Sequence, residues 1–282
     1  MRATVTEAVL RHERRIVATG LVAIVVLAWL YVITGSGTGM SVREMTRLAV
    51  APGSFGDGMP MSMSMPMPTE WTPAYWALMF LMWWIMMIAM MVPSAAPTVL
   101  LFGRVTRHEL GRGRLARDVI PTAAFAGGYL IAWLAFSAAA TLAQFGLERI
   151  GLVSSMRMWS LDPWLSAALL LAAGLYQLTP LKQACLRHCR TPARFLAGHY
   201  RPGRRGALRM GIGHGVWCVG CCWALMALLF VGGIMNLLWI AGLTIFVLAE
   251  KVLPGGEWLA RVFGAACLAA AAWIALRAAG VI

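Results

Sequence analysis

Charged side chains are scarce in this sequence of 282 residues. Asp, Glu, Lys and Arg make up 12% of it and hydrophobic residues 60%, whereas soluble globular domains have about 25% charged residues. The charges fall in short stretches between apolar runs long enough to cross a bilayer, which takes about 20 helical residues. A soluble enzyme is therefore excluded. Because apolar runs recur along the whole chain, a signal peptide followed by a secreted domain is excluded too.

Acidic residues are scarcer still, with 11 Asp and Glu against 24 Lys and Arg, a net charge of +13. No basic stretch is interleaved with stacking aromatic residues, so this charge does not predict nucleic-acid binding. Basic residues that hold helix ends in the cytoplasm explain it better. The sequence also lacks an ATP-binding motif, an aspartyl-phosphate motif and a chain of intramembrane carboxylates. It therefore shows no energy source for active transport.

The apolar runs predict an all-α protein, a polytopic membrane helix bundle of about seven transmembrane helices. The predicted spans are residues 16–34, 71–92, 121–146, 163–180, 210–231, 234–250 and 258–278. Most Lys and Arg lie in the N-terminal segment and in alternate loops, which predicts that the N-terminus is inside and the C-terminus outside. Between the fifth and sixth spans, only Gly232, Gly233 and Asn236 supply a turn signal.

Three parts of the chain differ in composition. Residues 1–34 form a cytoplasmic segment and an anchor helix, residues 35–70 a Met-rich outer loop, and residues 71–282 the helix bundle. The loop is rich in Gly, Ser, Pro and Met and has almost no periodicity, so we expect it to be flexible. Function is therefore expected in the bundle and at its two edges.

Methionines recur at every second position of the outer loop: Met59, Met61, Met63, Met65 and Met67. In an extended chain this spacing places all five side chains on one side. Thioether sulfur is a soft, neutral ligand that selects copper(I) over hard or borderline divalent ions. A low-complexity linker is the alternative. Because Met is apolar and readily oxidised, it suits a solvated linker poorly, and the spacing favours metal capture.

The second span carries a further methionine stripe: Met79, Met82, Met86 and Met90. At about 100° per residue these four side chains fall within an arc of about 80°. Ordinary apolar packing is an equal alternative, since Met87 and Met91 place methionine on other faces of the same helix. The stripe gains weight as a metal path because it follows directly on the outer methionines.

Five of the six cysteines lie near the predicted cytoplasmic end of the bundle. Thr179 and Pro180 can cap and begin a short helix that ends before Pro192. One face of that helix would carry Cys185, His188 and Cys189.

In the fifth span, His214, Cys218 and Cys221 fall within about 60° of one another, with Cys222 beside them. If the fourth and fifth spans are neighbours, two cysteine pairs and two histidines meet. A thiolate site for copper(I) or zinc, redox chemistry by Cys218 and Cys221 and inert packing remain open, and the metal site is favoured.

Polar residues also mark the ends of two spans. Glu250 and Lys251 are expected to pair with each other or with the basic loop after the fourth span, in a structural role. Tyr176 and Gln177 are expected to hold His214 or another liganding group. Close approach of a second helix is predicted by three alternate glycines, Gly211, Gly213 and Gly215.

Several unusual blocks occur in a family-specific order. They are residues 90–97 (MMVPSAAP), residues 176–182 (YQLTPLK) with Cys185 and Cys189, His214-Gly215, residues 218–226 (CVGCCWALM), Met235-Asn236 and Glu250-Lys251. In these blocks the chain resembles a bacterial domain-of-unknown-function family of predicted metal-binding integral membrane proteins. The resemblance covers about residues 71–280 and implies only metal binding and a membrane location. The apolar spans and their flanking basic residues predict a multi-pass protein of the bacterial inner membrane. It implies no reaction and no particular metal.

The combined pattern predicts a protein that binds a soft metal ion and hands it from the outer methionines to the inner Cys/His cluster. Copper(I) is the expected ion, with zinc as the alternative. Eukaryotic copper uptake transporters have a similar arrangement, with methionines outside the membrane, methionines spaced by four within it, and Cys and His inside. This is an analogy of ligand chemistry only. The alternatives are a membrane thiol-disulfide oxidoreductase and an assembly factor that delivers metal to a partner enzyme. The predicted partners are the metal ion, the lipid bilayer and a metallochaperone or metalloenzyme.

Overall fold

The computed structural model describes residues 5–46, 70–111, 121–155, 158–201 and 203–281. The described part is helical, and its only extended pairing is an isolated bridge between Val153 and Ser160. The prediction of an all-α protein is therefore confirmed. The outer methionines Met59, Met61, Met63, Met65 and Met67 lie outside the described residues.

The helices of the described part follow one another along the chain as α1 (Val5–Ile33), α2 (Val42–Met45), α3 (Pro73–Gly111), α4 (Pro121–Arg149), α5 (Pro163–Leu178), α6 (Pro180–Arg190), α7 (Pro192–His199), α8 (Gly203–Ala227), α9 (Leu229–Gly232), α10 (Leu237–Val252) and α11 (Gly256–Ala278). Five of them are long and apolar enough to cross a membrane, and a sixth crossing is added if α5 and α6, bent by 66°, form one span. Helix α10 has 16 residues, fewer than the roughly 20 of a full crossing. The number of crossings and the orientation stay predictions.

Helix α3 is longer than the sequence predicted. The second span was expected to end at residue 92, but α3 continues through Pro93 and Pro97 to Gly111. The hydroxyl groups of Ser94 and Tyr129 both donate to the backbone oxygen of Met91, at 2.8 and 3.2 Å. The carbonyls that lose their N–H donors to Pro93 and Pro97 are those of Ala89 and Pro93, so these two hydrogen bonds do not replace the missing ones. The bond from Tyr129 instead joins α4 to α3 within two residues of Pro93.

Helices α4 and α8 approach each other closely through glycine. A Cβ atom at Gly211 would lie 2.0 Å from the backbone oxygen of Phe125, and one at Gly128 would lie 2.2 Å from that of Leu208. At Gly215 it would lie 2.5 Å from the Cβ of Ala132. Two of the three alternate glycines of α8 therefore make the predicted close approach. The third does not, because a Cβ there would meet no described atom within 4 Å.

Helix α6 begins as its sequence predicted. The Thr179 hydroxyl accepts the backbone N–H of Lys182 at 3.2 Å, and Pro180 is the first helical residue. Helix α10 also begins at the predicted turn, where Gly233 has a φ of 101° and the Asn236 side chain accepts the N–H groups of Leu238 and Trp239. These two local signals place α6 beside α8 and return α10 toward the same end of the bundle.

Candidate metal centre

The thiols of α6 and α8 converge. The Sγ atoms of Cys189 and Cys221 lie 3.8 Å apart, and Cys221 is 1% exposed. Two sulfur ligands of one tetrahedral zinc ion, each about 2.3 Å from the metal, are separated by about 3.8 Å. The pair therefore has the spacing of two ligands of a single ion. All six cysteines are free thiols in the described structure.

The thioether of Met91 lies beside the thiols of α8. The thiols of Cys221 and Cys222 donate to the backbone oxygen of Cys218, at 3.1 and 2.9 Å. The Cys222 thiol also lies 3.8 Å from the Sδ atom of Met91, on α3. We call Cys189, Cys218, Cys221, Cys222 and Met91 the sulfur cluster. It brings together sulfur atoms from three helices.

Two polar side chains contact the sulfur of Cys218. The Tyr129 hydroxyl lies 3.1 Å from its Sγ atom, and the Lys251 ammonium lies 3.0 Å from it. Lys251 also donates to the Ser94 hydroxyl at 3.0 Å. All of these groups are buried except Ser94, which is half-buried. The sulfur cluster thus has a fixed positive charge at one edge.

Sulfur pairs are the binding unit that the geometry offers. Among the described residues, no group of three or more His, Cys, Asp or Glu side chains is arranged to hold a metal ion. The close contacts instead join two sulfur atoms at a time, within Cys189–Cys221 and Cys222–Met91. Soft sulfur pairs of this type suit copper(I) better than a hard divalent ion.

The remaining predicted ligands of α6 lie at the border of the sulfur cluster. Cys185 is buried, and its sulfur would lie 3.2 Å from a Cβ atom at Gly220. The Tyr176 hydroxyl donates to the backbone oxygen of the same glycine. The half-buried His188 ring stacks on Trp217, with centroids 4.1 Å apart and planes inclined by 5°. The contacts of Cys185 and His188 hold α6 against α8, and that of Tyr176 holds α5 against α8. Neither Cys185 nor His188 lies among the paired sulfurs.

His214 lies among aromatic rings. Its ring centroid is 6.1 Å from that of Phe125, 5.8 Å from that of Tyr129 and 5.4 Å from that of Phe195. The histidine is 3% exposed, and its Nδ1 atom has no hydrogen-bond partner among the described residues. Tyr129 is the side chain that contacts both this ring and the Cys218 sulfur.

The methionine stripe of α3 is fully buried. Met79, Met82, Met86 and Met90 are each 0% exposed, and so is Met87. At the Trp71 end, the Gln144 amide donates to the Sδ atom of Met79 at 3.5 Å. At the other end, the methionine that touches a thiol is Met91, which the predicted stripe left out.

A buried ion pair fixes α6 to α10. The Lys182 ammonium lies 2.9 Å from one carboxylate oxygen of Glu250, and the Gln177 amide donates to the other at 2.9 Å. Glu250 thus pairs with a basic residue that follows the fourth predicted span, one of the two alternatives foreseen. Gln177 and Tyr176 do not hold His214. They instead join the end of α5 to α10, through Glu250, and to α8, through Gly220.

Sequence reasoning missed three contacts of the sulfur cluster: those of Met91, Tyr129 and Lys251. Lys251 had a usable signal, because a charge at the end of an apolar run is costly and needs a partner. Met91 had a weaker one, since it lies in the family-specific block of residues 90–97. Nothing in the local sequence distinguished Tyr129 from other aromatic residues.

A family model described as a copper chaperone, PpoB2, matches residues 80–274. The match takes in Met82, Met86 and Met90, every cysteine and both Lys182 and Lys251, while the outer methionines precede it. No curated protein and no solved structure matches the chain.

Proposed function

Because the chain belongs to the PpoB2 family of copper chaperones, we propose that it binds copper as copper(I) and passes it from sulfur to sulfur within a membrane. The ion is collected by the outer methionines Met59–Met67 and moves along Met79, Met82, Met86 and Met90. It is then held by the sulfur cluster. The family supports copper handling, and the route and valence are our proposal.

The observation that carries this proposal is the 3.8 Å contact between Met91 and Cys222. It connects the buried methionines of α3 to the thiols of α8, and Cys189 extends the connection to α6. Ligands spaced closely enough to share an ion allow transfer by exchange, without release of a bare cation into an apolar interior.

The order of ligands favours movement toward the thiols. Thioethers are neutral and bind copper(I) weakly enough to release it, whereas thiolates bind it more tightly. An ion that enters at the methionines therefore comes to rest at the sulfur cluster. Movement through a series of sites requires that each site bind the ion strongly enough to accept it and weakly enough to release it to the next.

Metal analysis of purified protein tests the binding step. The double variant Cys218→Ala/Cys221→Ala is expected to lose most of the bound copper(I), because it removes one thiol from the paired sulfurs and the thiol that Lys251 contacts. The matched control is Cys267→Ala, which removes a buried thiol of α11. Equal copper stoichiometry in the double variant and the control would contradict the proposal.

A second function, thiol-disulfide exchange, is favoured by the 3.8 Å separation of Cys189 and Cys221. Two thiols this close can form a disulfide after small side-chain movements. In this reaction the Cys189 thiolate attacks a substrate disulfide, which forms a mixed disulfide and releases the other substrate sulfur as a thiol. Cys221 then displaces the first substrate sulfur, which leaves the substrate reduced and Cys189–Cys221 oxidised. Trapping of the mixed disulfide through Cys189 in Cys221→Ser would support this function. Full copper transfer by the same variant under reducing conditions, with no trapped species, would argue against it.

A further inference from the structure

The line of soft donors on α8 extends beyond the sulfur cluster. Toward the start of the helix, residues at steps of four follow Cys222 and Cys218, and they are His214 and Met210. Side chains four residues apart on a helix are neighbours, about 5–6 Å apart at Cβ. A nitrogen ligand and a thioether therefore follow the thiols along one continuous stripe, which leads away from Met91.

The surroundings of His214 do not explain why a histidine is there. Phe125, Tyr129 and Phe195 fill the space around the ring, and each is buried. A phenylalanine side chain would suit this aromatic environment, whereas the histidine has an Nδ1 atom without a partner among the described residues. A buried polar atom without a hydrogen bond is rare, and a missing ion is one of its explanations.

Met210 completes the stripe at the edge of the bundle. It is 4% exposed, and its Sδ atom accepts the backbone N–H of Arg201 at 3.2 Å. Arg201 is exposed, so the thioether lies within one hydrogen bond of the surface. Exposed arginines crowd this end of the helix: Arg194, Arg201, Arg204, Arg205 and Arg209.

We propose that His214 and Met210 form an exit site, which takes copper(I) from the sulfur cluster and presents it to an acceptor at the start of α8. This inference rests on the proposed function. Imidazole nitrogen and thioether sulfur are neutral ligands, and they hold the ion less tightly than thiolates do. The acceptor supplies the driving force, and the exit site shortens the step from Cys218 to the surface.

The length of the path agrees with this role. At 1.5 Å per residue, Met79 to Met91 spans about 18 Å along α3, and Cys222 to Met210 spans about 18 Å along α8. Together they are comparable to the hydrocarbon core of a bilayer, about 30 Å thick. Without the exit site, the line of donors would end at Cys218, about two-thirds of the way along this path.

Release kinetics test the exit site. Purified protein is loaded with copper(I) and mixed with a sulfonated phenanthroline chelator, whose absorbance rises when it binds the ion. Its negative charge is complementary to the arginine-rich start of α8. His214→Phe fills the aromatic space without a ligand, and Met210→Leu removes only the thioether. Each is expected to slow release by about tenfold with unchanged copper stoichiometry.

Two controls separate a ligand role from packing. His214→Met, which restores a soft donor, is expected to release copper at nearly the wild-type rate. Met45→Leu alters a buried methionine of α2 and is expected to have no effect. Wild-type release rates in both His214→Phe and Met210→Leu would overturn the exit site. Wild-type protein that binds no copper would instead overturn the proposed function.

Discussion

At the scale of single residues, Lys251 defines the electrostatics of the candidate centre. Its ammonium contacts the sulfur of Cys218 and the hydroxyl of Ser94, and no ion pair joins it to a carboxylate among the described residues. A fixed positive charge beside the ligands repels a divalent ion more strongly than a monovalent one. We therefore expect the residue to favour copper(I) over zinc at the proposed site, whose sulfur donors could bind either.

Lys251→Leu, which removes the charge without adding a sulfur ligand, is expected to shift the metal preference toward zinc. One additional unit of charge about 4 Å away costs about 4 kcal/mol at an effective dielectric constant of about 20. Even partial relief of this repulsion should raise zinc affinity relative to copper(I) by more than about tenfold. Competition between the two ions in purified protein measures the ratio. Lys251→Arg keeps the charge and should keep the preference, and an unchanged ratio in Lys251→Leu would rule out this role.

Helical spacing predicts some contacts of the sulfur cluster but not others. The convergence of Cys189 with Cys221 was predictable, because helical spacing places the cysteines of α6 and α8 on defined faces. The choice of Met91 over Met90 as the thiol contact was not. It depends on how α3 is rotated about its axis against α8, which is decided by tertiary packing.

At the scale of helices, glycines determine how close α4 comes to α8, and Tyr129 on α4 reaches Cys218 only because of that approach. Capping and turn signals predicted the starts of α6 and α10, since Thr179 and Asn236 act within a few residues of their own position. The extension of α3 past Pro93 was not predictable in this way, because proline usually ends or kinks a helix and is tolerated in an apolar bundle through packing against other helices.

Gly211→Ala is expected to destabilise the protein, whereas Gly213→Ala is expected to leave it unchanged or stabilise it. At Gly211 the new methyl group would lie 2.0 Å from a backbone oxygen of α4, and overpacking of this kind costs about 1–3 kcal/mol. At Gly213 the described structure leaves open space, so alanine brings only its higher helix propensity, up to about 1 kcal/mol. Thermal unfolding in detergent compares the two. Equal melting temperatures would show that α4 and α8 do not pack this closely.

At the scale of the whole molecule, α3 and α8 share one long row of soft donors. Met91 touches Cys222, while Phe102, farther along α3, packs in one buried cluster with Met210 near the start of α8. The two helices therefore run in opposite directions past each other. Methionines serve one half of the row, and cysteines, His214 and Met210 serve the other.

Met91 is the junction of the two halves, so Met91→Leu is expected to slow loading of the sulfur cluster without reducing its capacity. Leucine preserves apolar volume and removes the thioether, which widens the gap between the methionines of α3 and Cys222. In proteoliposomes supplied with copper(I), we expect the rate of loading to fall by about tenfold while the final stoichiometry stays unchanged. Met87→Leu is the matched control, since it removes a buried thioether of the same helix. Equal loading rates in the two variants would mean that copper reaches the thiols by a route other than α3.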